Sequence, residues 1–369
     1  MTSKDLLVML FDRGVRAVRG DSAVSAALQS SPCAPPDYII AVGKAATAMA
    51  CAAHAQFPGT PLLIVTKYGH SEGAPEGAEI IEAAHPVLDE NSLRGGARIA
   101  QIVRGLPAGS HLMMLVSGGA SALAEDPIDG LSLADMTAKA QSLLASGADI
   151  HAMNAARKDM SAIKGGRLLT GFNGARVTTL AISDVEGDSL SVIGSGIGAA
   201  PDAPRFDFDP RIVASNAIAR SAVAKAAAQN DLTVQVNRET LYDDINAIAP
   251  QISDTLKNGA PGLYVFGGEP TVVLPQNPGQ GGRNQALALL IAREISGLGG
   301  IEVLVAGTDG TDGPTDAAGA LIDGTLWETS GQSALDQADA GTWLGARNAL
   351  LKTGPTGTNV MDLVIAIKS

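Results

Sequence analysis

The stretch YIIAVGKAATAMA, residues 38–50, decides the fold of this 369-residue chain. A short apolar run leads directly into Gly43 and Lys44, and a helical pattern then extends over about residues 44–55. Apolar runs of the same kind, each bounded by a polar or glycine-rich loop, occupy residues 61–66, 111–119 and 176–184. Strands that alternate with helices predict a mostly parallel sheet covered on both faces.

The pattern continues to the end of the chain and predicts two domains. Helical segments lie near residues 3–29, 89–104, 132–147, 211–229 and 283–296, and further apolar runs lie at 262–274, 301–310 and 359–368. The prolines and charges of residues 201–210 predict a loop before the second region. We expect domains of residues 1–235 and 236–369, since a chain of this length exceeds one ordinary core. The last strand could pack back on the first domain.

Composition restricts the class of partner. The net charge of −12 argues against nucleic acid and membrane surfaces, which would repel the chain, but it permits a small anionic substrate. The two cysteines have no metal-ligand spacing and suggest free thiols in a reducing cytosol. No apolar stretch approaches the ~18–20 residues that span a bilayer. We therefore expect a cytoplasmic protein that acts on small molecules, and composition leaves a homodimer open.

Glycine-rich loops follow the apolar runs at the strand ends, where ligands bind in open α/β sheets. Lys44 can present its ammonium to an anion there, or it is simply an exposed lysine at a helix start. The loop is not a Walker A motif, because Ala45 replaces the required Ser or Thr. The loop SGGAS, residues 117–121, predicts either a nest of backbone N–H groups that binds anions or a tight turn that needs glycine.

The segment NAARKDMSAIKGGRL, residues 154–168, predicts a helix with a cationic face. One side of that helix carries Asn154, Arg157, Lys158, Ser161 and Lys164. The single acid, Asp159, lies off this stripe, whereas a solvated charged face usually mixes signs. We interpret the face as a binding surface for phosphate or carboxylate.

Two more strand-end positions and one helix start carry charge. Asp184 follows residues 177–182 and could act as a general base, a magnesium ligand or a turn residue, and Glu269 is equally ambiguous. Arg283 and Asn284 open an apolar helix, where the dipole and free N–H groups favour an anion. An arginine at that end is unfavourable for the dipole, so we interpret it as a ligand of phosphate or carboxylate.

The loop GTDGTDGPTDAAGA, residues 307–320, contains three aspartates. Its spacing does not match an EF-hand calcium loop. Asp309 and Asp312 could ligate Mg²⁺ or fix basic residues, and Asp316 is expected to cap the next helical turn. Simple turn formation by Asp-Gly pairs remains an alternative.

The histidines and the missing motifs limit other chemistry. His70 and His85 could border a site, but we interpret them as ordinary polar or packed residues. No GxGxxG follows the first strand, as a nicotinamide-dependent reductase would require, and Ser117 lacks the GxSxG elbow of an esterase.

Taken together, the loops resemble the class II glycerate kinases of the MOFRL family. The motifs that carry the resemblance are VGKAATAMA, SGGASAL, SGADIHAMNAARKDMSAIKGGRL, ISDVEGD, GGEPTV, GGRNQALAL and GTDGTDGPTDAAGA, in order from about residue 40 to 320. The resemblance implies a Rossmann-like α/β/α N-terminal domain, a smaller α/β C-terminal domain, and a cleft between them. It also implies phosphorylation of D-glycerate at the 2-hydroxyl by ATP, with a divalent cation such as Mg²⁺.

The resemblance also implies roles for individual residues. Lys44 and Asp184 match the catalytic positions, and Arg283 matches a third position of the active site. The residues expected to bind substrate or phosphate are Gly43, Ser117, Gly118, Gly119, Ser121, Asn154, Arg157, Lys158, Lys164, Glu269 and Asn284. Three alternatives stay open: a reductase of hydroxypyruvate that uses NAD(P)H, a kinase of a related hydroxy acid, and a sensor of sugar acids without catalysis.

Overall fold

The computed structural model describes residues 2–145 and 158–369 of the chain. Contacts divide it into two compact units: Arg19–Ser215 forms one, and Met1–Val18 together with Asn216–Ser369 forms the other. We call them the parallel-sheet unit and the mixed-sheet unit. This division differs from the predicted one, whose boundary after residue 235 falls inside a strand, Val234–Leu241.

Eleven α-helices are defined among the described residues. They are α1 Ser3–Val18, α2 Gly20–Ser30, α3 Ala46–Gln56, α4 Glu90–Gly105, α5 Ala120–Leu123, α6 Leu133–Ala145, α7 Asn216–Ala228, α8 Ile245–Asn258, α9 Arg283–Glu294, α10 Ser330–Asp336 and α11 Ala340–Gly345. The single helix predicted near residues 3–29 is two helices, because Arg19 has an extended backbone at ψ 142° and ends the first. Elsewhere the predicted helices at 44–55, 89–104 and 283–296 agree with α3, α4 and α9 to within two residues.

Twelve strands are defined in the same described ranges. They are β1 Tyr38–Val42, β2 Leu62–Lys67, β3 Glu79–Ala83, β4 His111–Val116, β5 Arg176–Ile182, β6 Asp207–Ala214, β7 Val234–Leu241, β8 Gly262–Gly268, β9 Ile301–Gly307, β10 Gly319–Asp323, β11 Leu350–Leu351 and β12 Asp362–Lys368. Each of the two units contains one six-stranded sheet.

The sheet of the parallel-sheet unit has the order β3-β2-β1-β4-β5-β6, and all its pairs are parallel. All six residues of β4 are buried, as expected for a strand covered on both faces. The chain runs from β1 outward to β3 and then returns to β4, so the order reverses between β1 and β4. That reversal is the topological switch point where α/β sheets bind ligands. The predicted α/β class with a Rossmann-like first domain is confirmed.

One strand of this sheet contradicts the sequence prediction. Residues 207–214 were expected to be loop and helix, but they form β6, and the helix begins only at Asn216. β6 lies at the edge of the sheet with β5 as its partner, and Phe208 and Ile212 pack against the core. Pro210 has no backbone N–H to donate, and an edge strand tolerates this because one of its sides has no neighbouring strand.

The sheet of the mixed-sheet unit has the order β11-β10-β9-β12-β8-β7. The last strand, β12, lies between β9 and β8 and is antiparallel to both. It also packs on residues 1–235, as expected for the last strand, because a Cβ at Gly14 of α1 would lie 3.7 Å from Leu363 Cδ1 and Asn216 Nδ2 donates to Asp362 O at 3.0 Å. The first helix therefore belongs to this unit: the same Cβ at Gly14 would lie 2.8 Å from Val223 Cγ2 of α7, so the two helices pack closely. In the described part of the chain, no helix has both the length and the apolarity needed to cross a membrane.

Candidate active site

The loop after β1 places Lys44 at the switch point of the parallel sheet. The Gly43 N–H donates to Val65 O of β2 at 3.1 Å, and the Lys44 N–H donates to Gly118 O, after β4, at 2.9 Å. Both neighbouring strands thus hold the backbone of the turn. The orientation of the Lys44 backbone follows from main-chain hydrogen bonds.

Gly43 is required in this turn by its conformation and by its close neighbour. Its φ of +127° is rarely adopted by residues with a side chain, and a Cβ would lie 2.2 Å from Ser117 Oγ. That hydroxyl accepts the Ala45 N–H at 3.1 Å, and Ser117 is buried. Ser117 is predicted to bind substrate, but its hydroxyl stabilises the Lys44 turn through this hydrogen bond.

The next glycine seats the carboxylate of Asp184. Asp184 follows β5, the strand beside β4. A Cβ at Gly118 would lie 2.2 Å from Asp184 Oδ2 and 2.8 Å from its Cγ, so the carboxylate rests directly on the glycine backbone. No larger residue leaves room for this arrangement. We call Lys44, Gly118, Gly119 and Asp184 the lysine–aspartate cluster.

Gly119 brings Lys44 together with two histidines that the sequence interpretation treated as ordinary. A Cβ at Gly119, whose φ is +82°, would lie 3.1 Å from both Lys44 Cγ and His85 Cδ2. His70 is close to the same turn. Burial and the charge of Lys67 lower the pKa of His70, a hydrogen bond to the Lys44 backbone opposes them, and the Lys44 charge lowers it further.

No spacing in the sequence links these histidines to Lys44. His70 follows β2 and His85 follows β3, and only the parallel order of strands carries both loops to the same edge of the sheet. The signal that could have identified them is their position shortly after a predicted parallel strand, the same kind of position that Lys44 has after β1. The structure adds His70 and His85 to the candidate site.

Among the described residues 158–168, the helix that would present the predicted cationic face does not extend beyond Asp159. Asn154 and Arg157 lie outside the described residues. Ser161 forms an isolated β-bridge with Pro127, so the predicted helix does not continue through this point. Lys158 is partly exposed and donates to Ser191 O at 2.9 Å.

Lys164, predicted to bind phosphate, is fully buried at 0% exposure. Its ammonium forms an ion pair with Glu125, which is equally buried, and donates to Ser121 O at 2.7 Å. A side chain enclosed in this way does not form part of a surface for phosphate. The prediction that Lys164 binds phosphate failed because it assumed a helix that continues past Ser161, where the chain instead forms a β-bridge.

The mixed-sheet unit contains a second cluster, which we call the arginine cluster: Glu269, Arg283, Asp312 and Asp362. Arg283 is the first residue of α9, and its Nε donates to Asp362 Oδ2 at 2.7 Å. Its Nη1 lies 2.8 Å from Glu269 Oε1. The Asp362 side chain is only 3% exposed, against 48% for Glu269. The buried carboxylate is thus the fixed anchor of the guanidinium.

Asp362 was missed by the sequence interpretation, which treated residues 359–368 only as a strand. Burial raises the pKa of Asp362, although the charge of Arg283 and hydrogen bonds from Arg283 and Asn284 lower it. Burial also lowers the pKa of Arg283, but the charges of Asp362 and Glu269 outweigh it and raise the value above its usual range. An acid at the first position of a strand whose next five residues are apolar was the available signal.

Asp312 has a different role from the predicted one. Its Oδ1 accepts the Asn284 N–H at 3.0 Å and its Oδ2 accepts the Gln285 N–H at 2.8 Å. The helix start that was expected to hold a ligand anion therefore already holds the carboxylate of Asp312, which is 3% exposed. Burial raises the pKa of Asp312 to about 6 against these two hydrogen bonds. A helix cap, rather than an exposed magnesium ligand, is the role its geometry supports.

The other aspartates of this loop also have local partners. Asp309 Oδ1 accepts from the Thr311 N–H at 3.0 Å, a turn-stabilising contact. Asp316 Oδ2 accepts from Lys352 Nζ at 2.9 Å, and its expected role as a helix cap is wrong because a strand, β10, follows at Gly319. Within residues 2–145 and 158–369 no group of three or more His, Cys, Asp or Glu side chains could hold a metal ion. The residues of this loop do not by themselves form a magnesium site.

Comparison with known proteins agrees with these features. Residues 6–230 match a family model described as a domain of unknown function (DUF4147), and residues 262–362 match the MOFRL family. The D-glycerate 2-kinase of Thermotoga maritima is 36% identical, covering 99% of this chain and 98% of the relative. The glycerate 2-kinase of Pyrococcus horikoshii is 34% identical, covering 89% and 87%.

A solved structure extends the likeness to the whole fold. The crystal structure of glycerate kinase from Thermotoga maritima matches with a TM-score of 0.92 at 33% sequence identity, over 100% of this chain and 99% of that chain. The likeness therefore includes both units and their sheets.

Proposed function

Because the chain belongs to the MOFRL-family glycerate kinases, we propose that it transfers the γ-phosphoryl group of ATP to the 2-hydroxyl of D-glycerate. The products are 2-phosphoglycerate and ADP. The observation that carries the proposal is the seating of a carboxylate and a lysine side chain on adjacent glycines, Gly118 and Gly119, at the switch point of the parallel sheet.

Asp184 would orient the 2-hydroxyl and accept its proton. The hydroxyl oxygen then forms a bond to the γ-phosphorus, and the bond from that phosphorus to the bridging oxygen of ADP breaks. Phosphoryl transfer needs positioning and charge neutralisation more than covalent catalysis. A carboxylate that rests against a rigid glycine backbone satisfies the first requirement.

Lys44 would supply the second requirement. Its ammonium can stabilise the oxygens of the transferring phosphoryl group, and the backbone around it is fixed by Val65 and Gly118. In the same proposal Gly43, Gly119 and Ser121 lie at the edge of the site that binds phosphate. His70 and His85 add polar groups beside Lys44. Asn154, Arg157 and Lys158 remain proposed phosphate contacts.

Arg283 would bind an anionic group in the same reaction, either the carboxylate of glycerate or a phosphate. Its side chain remains 33% exposed while Asp362 fixes its Nε, so the guanidinium is both anchored and accessible. Glu269 and Asn284 would support it, the first through its ion pair and the second through its hydrogen bond to Asp362.

The described residues do not fit a dedicated magnesium site, since Asp312 caps α9 and no group of three or more His, Cys, Asp or Glu side chains among them is arranged to hold a metal ion. The expectation of Mg²⁺ therefore rests on the general preference of nucleotide phosphates for this ion. No step above passes through the metal. A cytoplasmic location, small-molecule partners alone, and a homodimer stay proposals of the same kind.

One coupled assay tests the reaction. Release of ADP is measured with ATP and, in turn, D-glycerate, tartronate, hydroxypyruvate and longer aldonates, and NADH absorbance is followed with hydroxypyruvate in parallel. We expect ADP release with D-glycerate at the highest kcat/KM, and identification of the product as the 2-phosphate by NMR.

Each of the other outcomes contradicts the proposal in a different way. Preferred turnover of another hydroxy acid would make the chain a kinase of that acid. Loss of NADH absorbance without ADP release would make it a reductase. Binding of glycerate without either signal would make it a sensor.

A further inference from the structure

The buried ion pair of Glu125 and Lys164 contacts residues 117–121, which we call the 117–121 loop and which consist of a glycine turn and the first two residues of α5. Both side chains are fully enclosed, at 0% and 1% exposure. Burying two charges costs more free energy than their attraction returns unless further hydrogen bonds satisfy them. Here Lys164 Nζ also donates to Ser121 O at 2.7 Å, and Glu125 Oε1 accepts the Asp126 N–H at 3.0 Å.

A continuous set of contacts leads from this pair to the lysine–aspartate cluster. Ser121 lies in the first turn of α5, which directly follows Gly118 and Gly119, the two glycines that contact Asp184 and Lys44. On its other side Ser121 Oγ lies 2.8 Å from Ser195 Oγ. The Gly165 N–H, next to Lys164, donates to Ser195 O at 2.9 Å. The loop is therefore fixed from below by Lys164 and from the side by Ser195.

From these contacts we propose that Lys164 is a positioning residue for phosphoryl transfer, holding the 117–121 loop so that Gly118 and Gly119 seat Asp184 and Lys44. The inference rests on the proposed kinase reaction and extends it to a residue that does not contact substrate. Glu125 orients the ammonium of Lys164 and neutralises it. A shift of about 1 Å in such a loop lowers turnover ~10²-fold.

The two partners of the pair have unequal connections, and this inequality makes a sharp test. Lys164 contacts both Glu125 and the loop, whereas the Glu125 carboxylate accepts hydrogen bonds from Lys164 and from the Asp126 N–H. A positioning role predicts that kcat follows the hydrogen bond to Ser121. A purely structural pair predicts that loss of either partner has the same consequence.

The experiment compares Lys164→Met, Glu125→Gln and the double variant Glu125→Leu/Lys164→Met with the wild-type chain. We measure kcat and KM for D-glycerate at a fixed interval below each Tm, with folding checked by circular dichroism. We expect Lys164→Met to lower Tm by roughly 10 °C and kcat by ~10²-fold. Glu125→Gln, which keeps the loop contact, should stay within about threefold in kcat. The double variant should recover Tm, since no charge is left unpaired, but not kcat.

Val103→Ala is the matched control for lost stability alone. Val103 is fully buried in the core of the same unit and lies on α4 rather than on the loop. It should lower Tm without lowering kcat of the folded enzyme. Equal kcat losses in Lys164→Met and Glu125→Gln, or recovery of kcat together with Tm in the double variant, would overturn the inference. If Lys164→Met and the double variant do not fold, a kcat loss of tenfold or more in Glu125→Gln overturns it and retained kcat supports it.

Failure of the proposed reaction gives a different result. A wild-type chain that releases no ADP with glycerate contradicts the kinase proposal itself. A wild-type chain that turns over glycerate, with variants that do so equally well, contradicts only the role of Lys164.

Discussion

The lysine–aspartate cluster and the arginine cluster position their cations by opposite means. The turn that carries Lys44 is held by main-chain hydrogen bonds to Val65 and Gly118, with glycines where side chains would collide. Arg283 is held by direct ion pairs with two carboxylates, of which Asp362 is buried. Backbone hydrogen bonds and glycines therefore position the cation of the first cluster, and ion pairs with carboxylates, one of them buried, position the cation of the second.

The difference teaches which substitutions separate stability from activity. A residue fixed through its backbone can lose its side chain without exposing a buried partner. A residue whose side chain neutralises a buried acid cannot, because the remaining charge has no compensation. Four experiments test this contrast, and they are given from the largest expected effect to the smallest.

The largest effect is expected for Arg283→Met. Loss of the guanidinium leaves Asp362 buried without its cation, so the free energy of unfolding should fall by about 3–5 kcal/mol. Urea-induced unfolding measures it. Glu269→Gln removes the exposed carboxylate from the same guanidinium and should cost ~1 kcal/mol or less. Restored stability in Arg283→Met/Asp362→Asn would support the cause, and equal losses in the two single variants would contradict it.

Lys44→Ala should behave in the opposite way. We expect kcat for D-glycerate to fall ~10²–10³-fold, because one group that stabilises charge in the transition state is lost. The free energy of unfolding should change by only about 0.5 kcal/mol, as for an ordinary surface substitution. Lys225→Ala, an exposed lysine on α7, is the control and should alter neither quantity. Near-normal turnover in Lys44→Ala would remove Lys44 from the mechanism.

The pH dependence of stability should report the buried charge of Asp312. Its pKa is raised to about 6 from 3.8, so between these values the folded state binds more protons than the unfolded state. Stability from this group is therefore greatest below about pH 4 and declines as pH rises through 6, by about 3 kcal/mol in all. Urea unfolding from pH 4 to 7 should show this decline in the wild type but not in Asp312→Asn. Parallel profiles would contradict the assignment.

Gly118→Ala tests the backbone arrangement by itself. The new Cβ would lie 2.2 Å from Asp184 Oδ2, so the carboxylate must move and kcat should fall up to ~10²-fold. Gly105→Ala, where a Cβ would meet nothing within 4 Å, is the matched control and should retain wild-type kcat. Full activity of Gly118→Ala would show that the seat of Asp184 does not matter for turnover.

The sequence alone determined much about this protein. Apolar runs that alternate with helical patterns predicted the parallel sheet, because both signals depend on local spacing of residues. The strand ends predicted positions for Lys44 and Asp184, and the start of an apolar helix predicted one for Arg283. The order of seven motifs identified the family. These features depend on residues that are close in sequence, so they can be recognised without knowing which segments pack together in the fold.

Tertiary structure decided the partners of the charges. Lys164 was read as part of an exposed stripe, yet it is buried against Glu125, 39 positions earlier in the chain. The sequence leaves Asp312 open as a magnesium ligand or a partner of basic residues, yet it caps α9. His85 was set aside, yet it lies beside Gly119 at the Lys44 turn. In each case the deciding neighbour is distant in sequence.

The membership of elements in the two units was decided in the same way. α1 belongs to the mixed-sheet unit because Gly14, which has no side chain, lets α7 pack closely against it. β12 lies at the centre of the sheet of that unit, between β9 and β8. β6 forms at an edge although its sequence contains proline. The physical reason is common to all these cases: periodicity fixes the conformation of a segment, whereas burial and ion pairing depend on which segments meet, and that is settled only when the sheets assemble.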